Sequence, residues 1–270
     1  MILLRWINRK YQLIFYFSIV SWIILAIVFG FYDLQISRYI ANPNSIAGII
    51  GRDFGEALGF GIIGISIAIL IGKNFNKIEK QKIGILFPIL SGSIYLIIGI
   101  LFLSVKSIID SSSMIIFSII FLYLTWKKDW KKYKTFAWIT FLVFIINVLL
   151  IIQIFKIAWG RVRFEDLAPD YSDYTPWFIP RGFTGNKSFP SGHTSTSFIT
   201  LTLLLLISNL NFKKVYRFMI SFIIIGWALF VAISRVLIGA HYASDVLFSA
   251  EISLLLTVLL ANYLYKEKQD

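Results

Sequence analysis

Two histidines stand in this chain of 270 residues, each inside a stretch whose neighbours could make it reactive. His193 lies in "FPSGHTSTSF", residues 189–198, and His241 in "SRVLIGAHYASD", residues 234–245. His241 and Asp245 are four residues apart, so on a helix they share one face. The carboxylate can then accept from the imidazole Nδ1–H, fix the tautomer and leave Nε2 as the better nucleophile. Arg235 precedes them with a planar fork of donors suited to phosphate oxygens. The plainer reading is an ordinary i,i+4 helix pair, worth roughly 0.3–0.5 kcal/mol. Ionisable groups at a membrane boundary are expensive, however, and that favours a functional role.

In the first stretch Pro190 suits the opening turn of a helix, where its missing N–H costs nothing. The free N–H groups of Ser191, Gly192 and His193 then point outward with the positive end of the dipole, a ready anion site. Gly192 permits close approach, and the Ser191 hydroxyl adds a donor; the bland counterpart is a capped helix start with an incidental histidine. A third stretch, "KIAWGRVRF", sets Lys156 and Arg163 seven residues apart, two turns along one face if the helix continues that far. Alone, that pair reads as two snorkelling side chains. Together the stretches gather three cations, a helix N-terminus, two histidines and an orienting carboxylate. They imply a phosphate ligand and transfer of its phosphorus centre.

These residues need elements to hold them. The chain is 58% hydrophobic and 15% charged, against about 25% charged in soluble domains. Eight apolar segments recur at about 11–31, 54–72, 83–105, 111–126, 135–156, 191–208, 216–236 and 246–265. The expected fold is an all-α, polytopic transmembrane bundle of about eight spans. The 111–126 segment is short for a span, and 54–72 is rich in glycine. The apolar stretch from Tyr11 is long and lacks a small-residue cleavage site, so it reads as a retained span. The absence of cysteine excludes disulfides and thiolate chemistry.

Charge sets the orientation. Arg5, Arg9 and Lys10, the lysines of 73–82, the five lysines of "WKKDWKKYK", the basic residues of "NFKKVYR", and Lys266 and Lys268 all fall on one side. By the positive-inside rule that side is cytoplasmic, with both termini there, in the cell membrane. The net charge of +12 is therefore an orientation signal and not a call for nucleic acid. Arg38, Arg52, Lys106, Lys156, Arg161, Arg163, Arg181, Lys187 and Arg235 fall on the other side. Six of them cluster between 156 and 235, as an extracytoplasmic anion site requires. Arg181 and Lys187 could instead pair with Glu165, Asp166, Asp170 and Asp173, whose spacing fits no metal site. Arg161 is open between a headgroup contact and a loop salt bridge. Glu251 reads as a structural partner inside the bundle, and Tyr171, Tyr174, Trp177 and Phe178 as interfacial aromatics.

Lys156–x6–Arg163, Pro190-Ser191-Gly192-His193 and Ser234-Arg235–x5–His241–x3–Asp245 resemble the three signature motifs of the type 2 phosphatidic acid phosphatase superfamily. That family includes lipid phosphate phosphatases and vanadium haloperoxidases. The second and third motifs match in order and spacing; in the first, Phe164 stands where the family usually has proline. The resemblance implies that His241 attacks phosphorus and forms a phosphohistidine, with Asp245 orienting it. His193 would serve as general acid and then as base. Lys156, Arg163, Ser191, Gly192 and Arg235 would hold the phosphate oxygens, with no metal or other cofactor. It also implies a six-helix phosphatase core at 81–270 and an added transmembrane hairpin at 1–80. The expected partner is a lipid phosphate drawn from the membrane: phosphatidic acid, phosphatidylglycerol phosphate or undecaprenyl diphosphate. Phosphoryl transfer to another acceptor, and a lipid phosphate transporter or flippase, are the competing functions. Oligomeric state is not set by these residues.

Overall fold

A computed structural model describes residues 9–208 and 213–266; Arg5, Lys268 and the start of the "NFKKVYR" loop lie outside the described residues. All regular structure among the described residues is helical. The helices are α1 (Arg9–Ile40), α2 (Ile46–Phe54), α3 (Ala57–Gly72), α4 (Ile78–Gln81), α5 (Leu86–Leu101) and α6 (Val105–Leu124), followed by α7 (Lys134–Val143), α8 (Ile152–Trp159), α9 (Gly192–Phe198), α10 (Leu203–Ser208), α11 (Lys214–Leu237) and α12 (Ala243–Lys266). Seven described stretches are long and apolar enough to cross a membrane. The chain is a multi-pass helical bundle. In a bilayer a helix satisfies its own backbone, which is why apolar sequence of this length takes that form.

The eighth apolar segment differs from its expected form. Gly192–Ile207, comprising α9, a 3-10 turn and α10, is shorter than the other seven. It starts inside the bundle, at the buried Ser191, and so has less of the membrane to cross. Other boundaries move outward. The first span runs to Ile40 because Asp33 and Ser37, polar residues in its last turns, face inward and are fully buried. The segment expected at 111–126 begins at Val105, since Lys106 and Asp110 pair with each other in its first turns. That gives it 20 residues, enough to span.

Packing explains how the site is framed. α1 lies along α12, α2 against α11, and α3 against α6, α7 and α9. The first two spans thus lean on the rest of the bundle by separate routes. Small residues make the second of these contacts. A β-carbon at Gly51 would lie 1.8 Å from Ser234 Oγ, and one at Gly59 2.5 Å from the Thr196 carbonyl oxygen. Between α7 and α8 the chain widens into a π-helical stretch, Phe144–Ile151. There the buried Asn147 donates to Ser195 Oγ at 2.8 Å and Ser253 Oγ at 2.7 Å. One amide therefore joins the helices that carry Lys156, His193 and Asp245. π-Bulges of this kind are frequent beside functional sites.

Candidate active site

The first motif is bent, not helical throughout. α8 ends at Trp159, and Gly160 takes a left-handed conformation at φ 52°. A β-carbon there would meet the Gly182 carbonyl oxygen at 2.0 Å, so the reversal needs glycine. Arg163 lies beyond it in extended backbone, at φ −73° and ψ 156°. The expected continuous helical face from Lys156 to Arg163 is therefore replaced by a chain reversal. The two cations remain charged neighbours.

The reversal also turns Arg161 inward, where it is 1% exposed. Its Nη1 donates to Asp245 Oδ1 at 2.6 Å and its Nη2 to Asp33 Oδ2 at 2.9 Å. Nε donates to the Thr175 carbonyl at 2.9 Å, and the Tyr242 ring lies 3.9 Å from the guanidinium carbon. Asp33 in turn accepts from the Ser244 N–H at 2.9 Å, capping α12 from α1, and also accepts from the Ser244 hydroxyl. Arg161 is thus a buried double ion pair, neither a headgroup contact nor a loop salt bridge.

Pro190 sits just before the helix and not in its first turn. Ser191 is the N-cap of α9, with Oγ accepting from Thr194 N–H and Thr194 Oγ1. Its own N–H donates to the Asp245 carbonyl at 3.2 Å, so the amides of Gly192 and His193 open the helix. Gly192 lets Lys156 come close: a β-carbon there would lie 3.2 Å from Nζ. His193 Nε2 is 3.3 Å from the Arg52 carbonyl oxygen, and Nδ1 is 4.0 Å from Glu56 Oε1.

The third motif closes the site. Asp245 Oδ2 accepts from Ser188 Oγ at 2.5 Å and from the Tyr242 N–H at 3.0 Å, and lies 3.5 Å from His241 Nδ1. The histidine contact is the loosest, as resting catalytic contacts often are. Burial holds the His241 imidazole down to about 4, against the pull of Asp245, so the ring is neutral near pH 7. Arg235 is 5% exposed, and its Nε and Nη1 are buried without a protein acceptor. Arg163 and Glu56 are among its charged neighbours, and His193 and His241 are neighbours of each other. The three motifs converge at the one end of the bundle.

Sequence reasoning missed Asp33, Glu56 and Ser188. The available signal for Asp33 was a lone acidic residue in an otherwise apolar helix; Glu56, in the turn between two helices and close to Arg52 and Asp53, had none. Arg181 donates to the Asp173 main-chain carbonyl at 2.7 Å, while Arg163 pairs with Glu165 at 3.3 Å. Tyr174 and Trp177 pack inward, on Tyr242 and Phe248, and only Phe178 of the four aromatics is exposed. Glu251 lies beside Ser18 of α1, and its Oε1 is buried without a hydrogen-bond partner among the described residues. No three His, Cys, Asp or Glu side chains gather as a metal site among the described residues.

Residues 136–269 match the PAP2 superfamily. A lipid A 1-phosphatase of Rhizobium johnstonii is 31% identical over 169 residues, covering 56% of this chain and 64% of that protein. The chain thus aligns with less than two thirds of that relative's length. No solved structure matches.

Proposed function

We propose that this protein is an integral membrane phosphatase that hydrolyses a lipid phosphate or diphosphate through a phosphohistidine. The observation that carries the reading is Arg235, whose buried, unpartnered guanidinium donors sit among Arg163, His193 and His241. Such donors fit an oxyanion. His241 Nε2 attacks phosphorus; the P–N bond forms as the P–O bond to the leaving group breaks. His193 gives its proton to the leaving oxygen, then takes one from water as that water attacks phosphorus. The P–N bond breaks, and phosphate leaves with the lipid alcohol (or, from a diphosphate, with the lipid monophosphate). Lys156, Arg163 and Arg235, with Ser191 and the Gly192 amide, stabilise charge developing on the equatorial oxygens.

The chemistry on these residues proceeds without a metal. The distribution of basic residues among the loops supports a site on the extracytoplasmic face of the cell membrane, with both termini cytoplasmic. The six spans from residue 81 onward form the phosphatase core, and residues 1–80 are an addition that has become part of the site. Lipid A 1-phosphate, from the relative's name, joins phosphatidic acid, phosphatidylglycerol phosphate and undecaprenyl diphosphate as a candidate substrate.

The test is phosphate release from this panel in detergent, with chelator present, comparing the parent with His241→Asn. The parent is expected to release phosphate, and the variant to lose release while still binding lipid. Equal loss of binding and turnover would count against a nucleophile. A labelled acceptor with no free phosphate would turn the reading to phosphotransfer, and binding without turnover in the parent would turn it to lipid movement.

A further inference from the structure

His241 has its carboxylate in Asp245, and His193 has one too, from a part of the chain that none of the three motifs covers. Glu56 stands where α2 gives way to α3, 8% exposed. It occupies the N-cap position of α3, yet its side chain caps nothing. One carboxylate oxygen is ion-paired with Lys106, which is itself shared with Asp110 at 2.8 Å. The other, Oε1, is turned to His193 Nδ1 at 4.0 Å. Thr196, one turn after His193, also bonds Glu56. The charged groups facing Glu56 are therefore Lys106 and Asp110 from α6, Lys156 from α8, His193 from α9 and Arg235 from α11.

The backbone fixes this arrangement. α3 abuts α9 at Gly59, where no β-carbon fits beside the Thr196 carbonyl. Upstream, the Arg52 carbonyl oxygen is 3.3 Å from His193 Nε2. The ring thus faces an acceptor at each nitrogen: a carboxylate at Nδ1 and a carbonyl at Nε2. At 4.0 Å the Glu56 approach is an ion-pair distance and not a hydrogen bond, so the neutral ring can donate from Nε2 to the Arg52 carbonyl, and a ring that gains a second proton finds Glu56 at Nδ1. A proton donor buried among Arg235, Lys106 and a second histidine needs a counter-charge to hold its proton. Glu56 is the carboxylate that meets this need.

We propose that Glu56 is the positioning residue for His193, forming a second histidine–carboxylate dyad in the site. This rests on the phosphohistidine reading above. Glu56 accepts from Nδ1–H once the ring is protonated, and Nε2–H exchanges the Arg52 carbonyl for the leaving oxygen when substrate enters. Nε2 gives its proton to that oxygen, becomes a lone-pair acceptor, and takes a proton from the hydrolytic water. Lys106 keeps Glu56 ionised through the cycle. The span containing Ile46–Gly72 is then part of the proton-transfer apparatus.

The experiment compares two leaving groups on Glu56→Gln in the full chain. An alkyl phosphate needs a proton on its departing oxygen; a nitrophenyl phosphate ester does not. For the alkyl lipid phosphate, kcat is expected to fall about 100-fold with KM nearly unchanged, within the range of general acid catalysis. The first burst of nitrophenolate is expected to stay within about 3-fold of the parent, since that step needs no acid. Glu56→Asp, which keeps the charge on a shorter arm, is expected to recover part of the alkyl rate, and it serves if Glu56→Gln does not fold. Equal losses on both leaving groups, or none on either, would overturn the proposal. His241→Asn separates this from the parent reading: it must abolish the nitrophenolate burst as well. If it does not, the phosphohistidine itself fails, whatever Glu56 does.

Discussion

At the scale of single residues, the two histidines are made different by what surrounds them. His241 is 2% exposed, with Asp245 as its nearest carboxylate, and burial holds its imidazole down to about 4. Between pH 4 and the ordinary 6.5 it is therefore neutral where a free imidazole would be protonated. A nucleophile needs that lone pair, so acid removes it only below this window. Nitrogen-15 NMR of the two histidines in detergent, assigned with a His193 variant, checks this: His241 is expected to show a neutral ring at pH 5.5. A midpoint near 6.5 would contradict it. The His241–Asp245 contact was readable from spacing because the two lie four residues apart. Arg161 was not, because its carboxylates are 84 and 128 residues away in sequence. No periodicity reports such a contact. Removing the Arg161 side chain would leave two buried carboxylates unpaired, a loss of the 3–5 kcal/mol class.

At the scale of elements, apolar length located every span, while the ends were misjudged wherever polar residues turned inward. Asp33 and Ser37 read as loop until their burial against α12 is seen. The glycines of the second span were visible as composition, but their purpose depends on a partner helix. Gly51 brings α2 onto Ser234, the residue before Arg235. Gly51→Val is expected to push the helices apart and cost about 2 kcal/mol, an overpacking penalty. Phosphate release should fall at least about 10-fold, since a misplacement near 1 Å costs more than that in a positioned site. Gly226→Val, on an exposed face of α11 with nothing within 4 Å, is the matched control and should be silent. Detergent thermal shift and turnover, read together, decide it. Equal behaviour of the two variants would remove the contact from the account.

At the scale of the whole molecule, the motifs lie between residues 156 and 245 but the site does not. Asp33 reaches it from α1 and Glu56 from the junction of α2 and α3. The three motifs all lie in the last part of the chain, and composition alone does not show the contacts that Asp33 and Glu56 make with it. A fragment of residues 81–270 is therefore expected to be inactive, and to regain phosphate release when residues 1–80 are co-expressed as a separate piece. Full activity of the fragment alone would make the N-terminal spans dispensable. The double ion pair of Arg161 has one further consequence. Its two carboxylates come from α1, near the start of the chain, and from α12, near its end. A ribosome delivers them more than 200 residues apart. Until the last helix is made, Arg161 holds only one of its partners and His241 has no carboxylate beside it. The order of synthesis thus leaves any chain still lacking α12 without this buried pairing.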